Sequence, residues 1–262
     1  MKRFARAGLA LLVLNVGARA ADMRLKARPP LPMPIFNWTG CYIGGSTGGA
    51  WTQNSNTTVT FVDGGSGAGP AAAAGALPTS FSNSASGWTG GGQLGCNYQT
   101  SNWVFGIETD ISGMNLTGSQ ALATNVPPFF RLTTSVTQDT NWIGTTRGRL
   151  GWAWGNVLLY GTGGAAYGNV NYSYTQNNIA GGGPVAIAVS DSATQVGWTA
   201  GGGIELGFGR WSLKGEYLFY DLGGHTLDAP CATCTGLSPT VFFVHYRDTG
   251  NIARIGLNYR FY

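Results

Sequence analysis

The chain has 262 residues, 15 Lys+Arg against 11 Asp+Glu, and a formal charge of +4. Charged residues make up 10% of it, far below the ~25% usual for soluble domains, which argues against a freely soluble enzyme. Forty-three glycines disfavour helices, no apolar run is long enough for a spanning helix, and nine Trp, eleven Tyr and twelve Phe argue against disorder.

At the start, Lys2, Arg3 and Arg6 precede an apolar stretch from Ala7 to Val16. Ala18-Arg19-Ala20 then offers small residues where a signal peptidase reads, so residues 1–20 are expected to be a signal peptide cleaved after Ala20. Lys2, Arg3, Arg6 and Arg19 carry the whole positive excess. The mature chain is then neutral, and the basic balance is no argument for a nucleic-acid partner. Residues 21–37 hold four prolines and three basic residues with no apolar period, which reads as an extended periplasmic segment. Residues 38–262 read as one unit.

From Trp38 onward the pattern is alternation. Eight segments keep a period of two: about 38–52, 87–99, 103–116, 141–153, 157–172, 195–208, 211–222 and 251–261, the fifth with Gly, Ala and Tyr on both faces and so with no inward face assigned. In the third, Trp103, Phe105, Ile107 and Ile111 oppose Glu108 and Asp110; in the eighth, Ala253, Ile255, Leu257, Tyr259 and Phe261 oppose Arg254, Asn258 and Arg260. Period two puts successive side chains on opposite sheet faces. The connections alternate between short (100–102, 154–156, 209–210) and long (53–86, 117–140, 173–194, 223–250). Short turns on one rim and long loops on the other are the mark of outer-membrane barrels. The expected fold class is therefore all-β: an eight-stranded antiparallel transmembrane up-and-down β-barrel in outer-membrane lipid. The Gly/Ala-rich run from Gly64 to Ala76 is expected to be a flexible exposed loop.

With apolar faces toward lipid, Glu108, Asp110, Arg147, Arg149, Glu205, Lys214, Glu216, Arg254 and Arg260 share the lumen. An eight-stranded barrel is just wide enough for its interior side chains to fill it. Charges buried there must pair, so an ion-pair network that plugs the lumen is expected, with no catalytic set. A small pore for solutes and a binding or adhesion role of the loops are the rival readings. A membrane enzyme would need a Ser/His or Asp/His set at the rim, and the only histidines, His225 and His245, share one expected loop.

Four cysteines in an exported chain suggest disulfides. Cys41 and Cys96 fall near one rim on the same face of adjacent segments, which suits a cross-strand bridge. Cys231 and Cys234 can close a small local ring. Cys231, Cys234, His225 and His245 could instead form a zinc-like set, a weaker reading in an oxidising compartment. No metal and no cofactor are expected.

Several runs carry a resemblance: Asn37-Trp38-Thr39-Gly40-Cys41-Tyr42-Ile43-Gly44-Gly45, Gly91-Gly92-Gln93-Leu94-Gly95-Cys96-Asn97-Tyr98, Thr146-Arg147-Gly148-Arg149-Leu150-Gly151, Gly197-Trp198-Thr199-Ala200-Gly201-Gly202-Gly203-Ile204-Glu205, Lys214-Gly215-Glu216-Tyr217-Leu218, and Asn251 to Tyr259. In this order and spacing the chain resembles the small outer-membrane immunogenic proteins of alphaproteobacteria, a porin-family group of β-barrels. The resemblance covers nearly all of the mature chain. It implies a barrel like the OmpA membrane domain, inserted by the barrel-assembly machinery, with no established catalytic residue. Some relatives bind haem or host surfaces through their loops, but no motif here carries such residues over. Arg254, Gly256, Tyr259 and Phe261 fit the pattern the assembly machinery reads in a last strand, with Tyr262 as a departure beyond the Phe.

Overall fold

The computed structural model describes residues 36–52, 55–66, 68–73, 75, 77–126, 130–178, 186–231, 234 and 240–261. The expected signal peptide and most of the Pro-rich segment lie outside the described residues, as does Tyr262. The elements are β1 (Gly40–Thr52), β2 (Ser55–Val62), α1 (Ala68–Ala73), β3 (Ser80–Asn83), β4 (Ser86–Thr100), β5 (Trp103–Val126), β6 (Phe130–Trp154), β7 (Val157–Asn178), β8 (Ala186–Phe208), β9 (Trp211–Pro230) and β10 (Val241–Phe261). All pairings are antiparallel, and β1, β4 and β5 to β10 form a ring of eight closed by β1 on β10. At one end the turns are tight, with positive φ at Ser101, Gly155 and Gly209, as two-residue hairpin connections require.

Two expectations are corrected. The strands are much longer than the alternation indicated: β5 runs to Val126 and β6 begins at Phe130, so most of the expected 117–140 loop is hairpin. The expected flexible run from Gly64 to Ala76 contains α1, whose Ala-rich sequence favours helix. Asp63 accepts from the amides of Gly65, Ser66 and Gly69. These bonds, that from Gly69 foremost, hold its carboxyl below the usual range.

The wall has two levels. At the short-turn level, Trp103, Phe105, Ile107 and Ile111 on β5, Ile204, Leu206 and Phe208 on β8, and Ile255 and Leu257 on β10 all point outward and are exposed. Aromatic pairs bound this apolar belt: Trp103–Trp152 and Trp211–Tyr259 at the short-turn rim, Trp142–Tyr167 and Trp198–Phe219 at the other. Trp211 to Phe219 is the length of a tilted strand crossing a bilayer, about 9–11 residues. Beyond the belt the pattern reverses. Val136, Val170, Tyr172, Tyr174, Ile187, Leu227, Phe242, Val244 and Tyr246 point inward into one apolar core. Asp139, Asn171, Ser173, Ser190 and Ser192 line a polar concavity on the outside.

Register irregularities cluster where the levels meet: between Gly113 and Leu116, between Thr140 and Trp142, and between Arg247 and Thr249. Such bulges bend strands and re-aim side chains at barrel rims. Above them the ring opens. The last rung between β8 and β9 is Trp198↔Asp221, while β8 continues on β7 to Ala186 and β9 on β10 to Pro230. β2 takes over from β1 along β10, and β3 pairs with β2. The outer level therefore consists of two four-stranded walls, β5–β6–β7–β8 and β9–β10–β2–β3. They meet across the apolar core, as in the 4.7 Å contact of Tyr172 with Tyr246.

Candidate functional site: the lumen

Strand register brings the charges together before any side chain bends. Glu108 lies opposite Arg147 on β5 and β6, Glu205 opposite Lys214 on β8 and β9, and Glu216 opposite Arg254 on β9 and β10. All point inward and are buried. Longer reaches then tie opposite walls. Lys214 Nζ stands 2.8 Å from Glu108 Oε1, and Arg147 Nη1 stands 3.1 Å from Glu216 Oε1. Arg254 Nη2 is 2.9 Å from Asp110 Oδ2, and Arg149 Nη2 is 2.7 Å from Glu205 Oε2. Arg147 Nη2 also reaches Glu108 at 2.6 Å and Asp110 at 2.8 Å. Four carboxylates face four cations, so the belt is formally neutral.

Eight of the nine expected lumen charges are in this belt. Arg260 is not: its guanidinium lies over the rings of Phe36 and Trp38, and Nη2 donates to the Thr39 carbonyl at 3.3 Å. Arg260 is near the short-turn end of β10, several residues below the belt, and stacks on the chain entering the barrel. Phe36 therefore belongs to the barrel, although sequence reading set it in the extended segment. Trp38 is fully buried there with Val104, Ala153, Leu158 and Tyr160, and its indole donates to the Gly155 carbonyl at 3.2 Å. The lumen thus has an aromatic floor, an ionic belt and an apolar roof.

Neutral residues complete the belt, and alternation alone did not single them out. The Tyr42 hydroxyl donates to Glu108 at 2.6 Å and that of Tyr160 to Glu216 at 2.9 Å. Thr145 donates to Asp110 at 2.7 Å, Asn258 to Glu205 at 3.0 Å, and Gln93 bonds to Asn258. Inward parity was the one signal available for them. Gly256 faces the same space, where a Cβ would meet Gln93 Nε2 at 3.1 Å and Lys214 Cε at 3.3 Å. Tyr259 and Phe261 point outward at the rim, Tyr259 against Trp211.

Cys41 and Cys96 are register partners on β1 and β4 and are joined by a disulfide, and Cys231 is joined to Cys234. The histidines go elsewhere. His245 sits between the hydroxyls of Thr60 and Thr226, and His225 bonds Asp191. Among the described residues no three His, Cys, Asp or Glu side chains converge as a metal site.

An apolar outer belt between aromatic rims, around a polar interior, defines a transmembrane β-barrel. The chain belongs to the family described as outer membrane protein beta-barrel domain, whose model matches residues 9–261. It is 32% identical over 257 residues to the 31 kDa outer-membrane immunogenic protein of Brucella melitensis biotype 1, covering 93% of each chain. The 25 kDa outer-membrane immunogenic protein of the same organism is 24% identical, with 96% of this chain and 94% of the relative covered. Both are named as outer-membrane immunogenic proteins. The protein is an outer-membrane protein, its barrel set in that membrane's lipid. Among solved structures, OprG from Pseudomonas aeruginosa aligns with a TM-score of 0.48 at 11% identity, over 86% of this chain and 98% of that one. The outer membrane protease OmpT from Escherichia coli aligns with 0.44 at 9%, over 86% and 98%.

Proposed function

We propose that this protein is a closed outer-membrane barrel that displays a rigid two-walled β-structure on the cell surface, without catalysis and without a diffusion channel. One observation carries the reading: eight charged side chains, all buried, pair across the lumen between an aromatic floor and an apolar roof. Breaking such a belt to admit solute leaves buried charges uncompensated, at about 3–5 kcal/mol for each removed partner. The long hairpins face the outside, as in outer-membrane barrels generally.

In this reading residues 1–20 are cleaved after export and 21–37 are a Pro-rich periplasmic segment. The assembly machinery inserts the chain through the strand bearing Arg254, Gly256, Tyr259 and Phe261. Single-channel recording of the purified protein in planar bilayers tests the closed lumen. The expected trace is flat, and large stable steps would overturn the reading in favour of a pore. The surface role is tested by removing the tip of the β9–β10 hairpin around Cys231–Cys234. Insertion is expected to survive, and any loop-borne haem or host-surface binding is expected to go.

A further inference from the structure

One buried charge takes no part in the belt. Asp248 lies on β10 opposite the β9 bulge at Leu222 and Gly223, between the pairs Arg247↔Gly224 and Thr249↔Asp221, and beyond Gly250, the last β10 residue to pair with β1. It is therefore in the outer level. It points inward with the even-numbered Val244, Tyr246, Ile252 and Arg254, is 1% exposed, and neither carboxylate oxygen makes a hydrogen bond of good geometry among the described residues, the Gln138 side chain approaching it as a weak donor. Gln138 of β6, Tyr172 of β7 and Tyr220 of β9 stand around it. Asp221 of β9 is the neighbouring acid, and it is held by Arg247 Nη2 at 2.9 Å and by the Gly223 amide at 2.9 Å. Burial, and then Asp221, push the Asp248 carboxyl up to about 7.

Asp221 also sits on the last rung joining β8 to β9. Directly above, Gly223 has a φ of +85° and β9 leaves β8. Above that point the His225 side chain bridges the seam. His225 Nε2 lies 2.9 Å from Asp191 Oδ2, its Nδ1 lies 3.2 Å from the Gln195 amide nitrogen, and its ring stacks on Tyr172 at 4.9 Å. Along Ala186–Gln195 the side of β8 facing β9 therefore has no ladder among the described residues.

We propose that this seam is a proton-responsive slot: neutral Asp248 lets the walls close at its base, and ionised Asp248 repels Asp221 from the last rung and frees the edge of β8. What it exposes is a row of backbone N–H and C=O groups, the chemistry that accepts an extended strand. The sign follows from linkage. Asp248 binds its proton more tightly in the closed seam than at its ordinary value of 3.8. Closure is therefore fully favoured below about pH 4, weakens about tenfold per pH unit as pH rises toward about 7, and weakens no further above. The other groups at the seam, Asp191, His225, Arg247 and Asp221, are bonded to one another in pairs.

The test is a distance measurement across the seam in the full-length protein in lipid nanodiscs. Thr194→Cys and Asp228→Cys carry spin labels, and the native cysteines are disulfide-bonded. One short distance is expected at pH 4.5, with a longer population growing to pH 7.5 and constant beyond. Asp248→Asn should keep the short distance at every pH, Asp248→Glu should retain the response, and His225→Gln should leave it in place. A wild-type distribution unchanged from pH 4.5 to 8 would overturn the proposal. So would a wild-type response in Asp248→Asn, or loss of the response in His225→Gln, which would move the sensor to the histidine.

Discussion

Along β6, residues 143–154 and residues 132–140 belong to one strand and bury opposite things. The first stretch hides Arg147 and Arg149 and shows Leu150 and Trp154 to lipid; the second hides Leu132, Val136 and Gln138 and leaves Asp139 partly exposed. The surrounding solvent sets the difference. Lipid accepts apolar side chains without penalty, so the inner level keeps its polar groups inside and must satisfy them there. Water drives apolar burial, so the outer level folds like a soluble β-structure around Tyr172, Phe242 and Tyr246. One barrel thus holds together by electrostatic complementarity in its membrane half and by the hydrophobic effect in its outer half.

Four substitutions break or sharpen this contrast. Arg147→Ala takes one cation from each of Glu108, Asp110 and Glu216 and leaves the buried belt one positive charge short, and is expected to cost about 3–5 kcal/mol. Urea unfolding in lipid vesicles, followed by heat-modified gel mobility, measures it; a loss under 1 kcal/mol would show the belt to be solvated. Phe242→Ala removes an outer-core ring at about 3 kcal/mol, spent locally. Limited proteolysis should cut the outer strands while the inner barrel stays resistant. Ile107→Lys places a charge near the middle of the lipid belt and should cost about 2–4 kcal/mol. Ser173→Lys, on the outward face of the outer level, should stay within about 0.5 kcal/mol. Equal penalties for the two lysines, read from the same urea curves, would put the membrane boundary in the wrong place.

The inner level was legible in the sequence because its alternation is strong on every segment but 157–172, where Gly, Ala and Tyr fall on both faces. From Trp103 to Ile111 every second residue is apolar or Thr, and the opposite face holds Glu108 and Asp110. The Cys41–Cys96 bridge followed from the same reasoning, since both residues fall on one face of neighbouring strands. The outer level read as loops for two physical reasons. Its outward face is Ser, Thr and Asn, which also make turns. Its bulges also shift the phase: on β6 the inward residues are odd-numbered up to Ile143 and even-numbered from Thr140. A pattern that changes phase and polarity together looks like no pattern at all.

In the lumen, sequence parity named the charged set but not its pairing. Arg260 shows the limit, because it shares the inward parity of Arg254 yet lies at the mouth with Phe36 and Trp38. Height along the strand, which parity does not encode, separates the two.

By itself the sequence determined the strand number in the ring, the face most inner residues occupy and the residue types that must share the interior, because a period of two is a local property of the backbone. Only the tertiary structure decided which charges meet across the lumen, that the hairpins pack on an apolar core, and that Asp248 is buried beside Asp221. Those outcomes depend on register, bulge position and strand height, which arise only when eight strands close on one another.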